Sequence, residues 1–189
     1  FLRDGSNRRT DGYGGSIENR ARVLLEIVDA TAAAIGAQRV GVRISPSSPF
    51  NSMHDSDPVA LTQYVAAALA ERDVMYLHVL EMPTGAPDAP RPLTAVARER
   101  FTGPLITNAG FTADAAEAVL ARGDADLVAF GVPFLASPDF VERTREGVPL
   151  NTPDRATFYG GSDAGYIDYP YRDGRVKTTL DDVLGVVKA

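Results

Sequence analysis

The chain alternates between two hydrophobic periods. Apolar residues at Ile17, Ala21, Leu24, Leu25, Val28, Ala32 and Ile35 recur at helical spacing. Ser16 precedes them as an N-cap, with Glu18 in the first turn and Gly36 as the stop, so the spacing predicts a helix over 17–35. Arg39-Val40-Gly41-Val42-Arg43-Ile44, closed by Ser45-Pro46, reads as a strand. A loop over 47–57 leads to Pro58, which suits a first helical turn, and an alanine-rich helix follows over 59–72. Residues 74–80 form the next predicted strand. A Pro-rich loop over 82–92 and a short helix over 93–100 follow it. The third strand is predicted over 104–108, a turn at Asn108-Ala109-Gly110-Phe111, and a helix capped by Thr112 through Leu120. Residues 125–130 give a fourth strand, then Gly131, and a helix-prone stretch over 138–146.

Four strands alternating with helices imply right-handed βαβ crossovers and a parallel sheet. Two architectures satisfy this: an open four-stranded sheet, or half of a (β/α)8 barrel. At 189 residues the chain is short of the ~250 of a whole TIM barrel. It begins at Phe1 with no initiator Met, which favours the half-barrel cut from something longer. In a barrel, functional residues lie just beyond the C-terminal strand ends. Here those are residues 43–51, 81–92, 108–111 and 131–134.

Composition narrows the chemistry. The chain is 44% hydrophobic and 23% charged, ordinary values for a soluble domain, and no apolar run approaches a membrane span. A net charge of -6 argues against nucleic acid as the main partner. There is no cysteine, which excludes thiolate chemistry, and two histidines exclude an all-histidine metal site. No signal peptide opens the chain, and a cytoplasmic setting is expected.

Residues 6–22, Ser6-Asn7-Arg8-Arg9-Thr10-Asp11-Gly12-Tyr13-Gly14-Gly15-Ser16-Ile17-Glu18-Asn19-Arg20-Ala21-Arg22, closely resemble the most characteristic stretch of the old yellow enzyme family of flavin oxidoreductases. Further matches follow in order. Val42-Arg43-Ile44-Ser45-Pro46 resembles the fifth barrel strand, and Asn108-Ala109-Gly110-Phe111-Thr112 the turn after the seventh. Phe130-Gly131-Val132-Pro133-Phe134 resembles the segment after the eighth. Phe158-Tyr159-Gly160-Gly161 and Gly165-Tyr166-Ile167-Asp168-Tyr169-Pro170 resemble the tail.

The resemblance implies an α/β chain forming the C-terminal half of a TIM barrel, strands five to eight, with an irregular tail. It covers residues 1–170 and leaves 171–189 as an extension without a role. It also implies FMN as cofactor and NAD(P)H as reductant. The expected reaction reduces activated C=C bonds of enones, maleimides and nitro compounds by hydride from flavin N5. Arg43 would donate to the flavin N1 side, where reduction builds negative charge. Asn108, Ala109, Gly110, Gly131 and Val132 would approach the phosphate through backbone N–H groups. Tyr159, Phe50 and Asn51 would line the substrate pocket. Many family members carry arginine where this chain has Val132, so one phosphate contact is expected to be missing.

The pair that holds the substrate carbonyl and the proton-donor tyrosine lie N-terminal to the match in relatives, so no catalytic residue is assigned here. Half a barrel needs its N-terminal half, or a second copy, to cover its core. Two other readings stay open: a non-catalytic flavin- or phosphate-binding half-barrel, and another TIM-barrel enzyme such as an aldolase or isomerase. The latter would want a lysine or a carboxylate pair at strand ends, where Arg43, His78 and Glu81 stand instead. His78, Tyr166 and Tyr169 read as structural, as do Glu18 and Arg22 at i, i+4.

Overall fold

The computed structural model describes residues 1–81 and 92–176. It comprises two compact units, residues 1–129 and the stretch from Phe130 onward. The predicted loop over 82–92 lies, but for Pro92, outside the described residues, as do residues 177–189 of the extension.

The first unit holds a four-stranded parallel sheet in the order β1 (Gly41–Ile44), β2 (Tyr76–Leu80), β3 (Leu105–Asn108) and β4 (Leu127–Ala129). Helices α1 (Ile17–Ile35), α2 (Pro58–Ala70), α3 (Leu93–Arg98) and α4 (Ala113–Ala121) alternate with the strands. Strands in sequence order and all parallel are the expected half-barrel arrangement.

The strands are two-faced. Val42, Ile44, Leu77, Val79, Leu105 and Thr107 point to one side and are buried. There all of these but Thr107 join Leu25 and Val28 of α1, Leu61, Val65 and Leu69 of α2, and Val96 of α3 in one core. The alternate positions form an open face. Gly41 and Arg43 are exposed, Tyr76, His78, Leu80, Ile106 and Asn108 are half-buried, and Leu127 is 54% exposed.

Local chemistry sets the element ends. Ser16 accepts from Asn19 N at the start of α1, and Gly36 ends it with φ 92. Thr112 caps α4 through Ala115 N, and Pro58 opens α2 behind an Asp57 cap that the sequence reading did not name. Ile35, expected on the apolar stripe, is instead 51% exposed. Arg20 takes a buried place on that helix, donating to Leu2 O, Gly15 O and the Asp55 carboxylate. The strands are shorter than predicted: residues 37–39 form a 3-10 turn, and 125–126 and 130 fall outside β4.

The second unit contains α5 (Val132–Ala136) and α6 (Phe140–Glu146). The α5 helix was not predicted, although Pro133 just after Gly131 is a helix-opening signal. The tail is tied to α6 by a buried ion pair. Arg143 Nε donates to Asp139 Oδ1 at 2.6 Å, with side chains 7% and 9% exposed. Arg143 also donates to Pro149 O and Pro170 O, while Asp139 Oδ2 accepts from Arg172 N at 2.8 Å. Residues just past 170 are therefore anchored, and Arg172 also pairs with Glu146.

Candidate functional site

Arg43 lies one residue before the end of β1, on the open face. Its register partner on β2 is His78. It forms no ion pair among the described residues. On the third strand, Asn108 Oδ1 lies 2.9 Å from His78 Nε2. Burial, opposed by the Asn108 hydrogen bond and helped by the Arg43 charge, holds the His78 pKa below that of a free imidazole. Arg43, His78 and Asn108 thus form a polar row across three adjacent strands. His78 had no functional place in the sequence reading; the signal was its i, i+2 spacing with Tyr76 and Leu80 on the face that carries Arg43.

The turn after β3 is strained. Ala109 has φ 116 and Gly110 φ 72. A positive φ costs a residue with a Cβ, and such outliers concentrate at ligand-binding turns. Asn51 at φ 58 and Tyr159 at φ 61 share this property, so three of the five positive-φ non-glycine residues among those described are predicted site residues.

The loop after β1 carries Phe50 and Asn51 in a short 3-10 turn, with Phe50 62% exposed. It is held from below. Arg3, itself buried, donates to Ser45 O and Ser48 O at 2.6 Å. The fully buried Asp55 carboxylate accepts from Asp4 N, Asp57 N and Arg20 Nη2. Arg3 and Asp4, at the head of the glycine-rich segment, and Arg20 on α1 thus clamp this loop. Arg22 turns away from Glu18 and donates to Gly12 O and Asn19 Oδ1.

Glu81, just past the end of the second strand, has a structural place. Its carboxylate accepts from Leu93 N at 2.5 Å and from Thr94 N and Oγ1, capping α3, whose own N-cap is Pro92.

In the second unit, Gly131 has φ -101, and a Cβ added there would meet nothing within 4 Å. Its backbone does not demand glycine, and the space a side chain would take there is open. Pro133 supplies no N–H, so the donors of this turn are Gly131 and Val132. Tyr159 is 95% exposed. Tyr166 and Tyr169 are structural: their hydroxyls accept from Tyr159 N and Asp154 N. No cluster of metal ligands exists among the described residues, and no helix there is long and apolar enough to cross a membrane.

A parallel four-stranded α/β sheet in sequence order, with Arg43 at a strand end and without an ion-pair partner among the described residues, is the arrangement of half a TIM barrel. Residues 1–151 match the NADH:flavin oxidoreductase / NADH oxidase family, and the chain belongs to it. It is 47% identical over 171 residues to a probable flavin mononucleotide-dependent alkene reductase of Leishmania infantum, covering 90% of this chain and 46% of that one. It is 42% identical over 176 residues to 12-oxophytodienoate reductase 1 of Oryza sativa subsp. japonica, covering 90% and 46%. Among solved structures, morphinone reductase superposes with TM-score 0.83 at 47% identity, covering 91% of this chain and 46% of that one. The old yellow enzyme from Trypanosoma cruzi gives 0.83 at 33% identity, covering 90% and 46%. The chain spans about half the length of the relatives it matches, and the expected family and half-barrel fold stand.

Proposed function

We propose that the whole protein is an FMN-dependent NAD(P)H oxidoreductase that reduces activated C=C bonds, and that this chain is its FMN-anchoring half. The observation that carries the reading is Arg43: an exposed guanidinium on the open face of a barrel strand, without an ion-pair partner among the described residues. Such a cation suits a group on which negative charge develops. When bound, FMN supplies the hydride chemistry. The chain's own residues then bind and orient. Arg43 offers donors to the ring's N1 side. The turns at Asn108, Ala109 and Gly110 and at Gly131 and Val132 offer backbone donors to the phosphate. Phe50, Asn51 and Tyr159 border the substrate, whose classes are enones, maleimides and nitro compounds. Carbonyl activation and proton delivery fall to the remainder of the protein, which also covers the open sheet face. A cytoplasmic setting belongs to the same proposal.

The test is an FMN titration of the whole protein followed by anaerobic addition of NADH or NADPH. Tight FMN binding, bleaching by a nicotinamide and reoxidation by an enone are expected. A protein that binds no flavin would refute the reading. The 189-residue chain alone is expected to hold FMN weakly, because half of the barrel wall is then water.

A further inference from the structure

We infer that His78 is a positioning residue for Asn108: its Nε2 fixes the Asn108 amide so that the NH2 group is what remains for a ligand lying beside Arg43. The inference rests on the FMN reading for Arg43 and Asn108.

An asparagine amide has an acceptor end and a donor end of the same shape, so on its own it presents either. The contact of 2.9 Å between His78 Nε2 and Asn108 Oδ1 removes that choice. If Nε2 carries the ring proton it donates to Oδ1, and the only acceptor on the Asn108 side chain is spent. If the proton sat on Nδ1, the Nε2 lone pair would face the Oδ1 lone pairs and the amide would turn over. The His78 tautomer and the Asn108 orientation are therefore one variable.

The neighbours set that variable. Arg43 stands opposite His78 in register, and burial with that charge keeps the ring neutral. A neutral ring has one N–H, and the Asn108 bond holds it at Nε2. Arg43 contributes only donors and the remaining end of Asn108 is also a donor. Together they select a ligand edge rich in acceptors or carrying negative charge, which an oxidised or reduced flavin provides. A merely structural link between β2 and β3 would not need this polarity, because the backbone ladder already joins those strands.

The test uses the whole protein labelled with 15N. At neutral pH the His78 ring is expected to show Nε2 protonated and Nδ1 bare before any FMN is added. FMN is expected to move the Asn108 side-chain NH2 resonances and leave the His78 tautomer unchanged. His78→Leu and Asn108→Ala are each expected to weaken FMN binding about tenfold, the worth of one hydrogen bond. The double variant should be no weaker than either single one. An Nδ1-protonated ring in the unsubstituted protein overturns the inference without any variant having to fold, and so do two effects that multiply. Arg43→Met with unchanged FMN affinity would instead sink the FMN reading, and with it the ligand assigned to Asn108; the tautomer would still report on the His78–Asn108 contact itself.

Discussion

The ring of Tyr76 lies directly over Gly41. The two are register partners on β2 and β1, and a Cβ placed on Gly41 would stand 2.1–2.6 Å from the ring atoms. Glycine is therefore present in this strand because an aromatic side chain occupies its neighbour's space, not because of an unusual φ. Gly41→Ala is expected to destabilise the fold by about 1–3 kcal/mol, the usual cost of overpacking. Urea denaturation would measure it. Pairing the change with Tyr76→Ala should restore much of the loss; equal damage with and without the ring would show that the contact does not matter.

Removing Arg143 leaves Asp139 buried without its cation. Arg143→Met is expected to cost about 3 kcal/mol, as for a broken buried pair. Residues 149–172 should also lose protection in hydrogen exchange, because Pro149, Pro170 and Arg172 hang on the same two side chains. Unchanged exchange over that stretch would count against the anchor.

Val132 lies in the turn proposed to meet the FMN phosphate, where an arginine is expected in many relatives. Val132→Arg is expected to tighten FMN binding by roughly tenfold or more, through a charge-assisted bond to phosphate. Riboflavin, which lacks the phosphate, should bind as before. A gain shared equally by riboflavin would place the new arginine elsewhere.

The His78 pKa is lowered in the fold, chiefly by burial, so the unfolded chain binds the proton more readily. Its contribution to stability is complete above the unfolded pKa of ~6.5 and is lost as pH falls through the interval down to the folded value. The midpoint of urea unfolding should therefore drop as pH falls below about 6.5. His78→Gln should flatten that dependence, and Arg43→Met should shift it to lower the loss, since the cation helps hold the ring neutral.

Asp55 is buried and accepts from three donors. Asp55→Ala is expected to loosen the loop that carries Phe50 and Asn51 and to cost about 3 kcal/mol through the stranded Arg20. Thermal unfolding and the exchange rates of residues 45–57 would show it.

The fold was legible because its signals are local. Caps at Ser16 and Thr112, Pro58 in a first turn and branched runs in the strands each report on a few neighbouring residues. The α5 helix was missed because five residues give no full period, and only Pro133 hinted at it. Arg20 was read as part of a motif and not as a core residue, since its buried partners at Leu2, Gly15 and Asp55 are remote or irregular in sequence. Arg43 could be picked out as a charge within an apolar strand. The row it forms with His78 and Asn108 could not, because strand register decides which side chains of three separated segments meet.

The clamp between Glu81 and Leu93 has a consequence for variation. Glu81, one residue past the end of β2, is bonded directly to the start of α3, so this junction is held by a side chain and not only by the eleven residues between Glu81 and Leu93. Chain length costs little once loop ends are fixed. The connection can therefore lengthen, shorten or change composition while the barrel wall keeps its register. Laboratory evolution has a safe target there, because one carboxylate decouples sequence change in the connection from the stability of the scaffold.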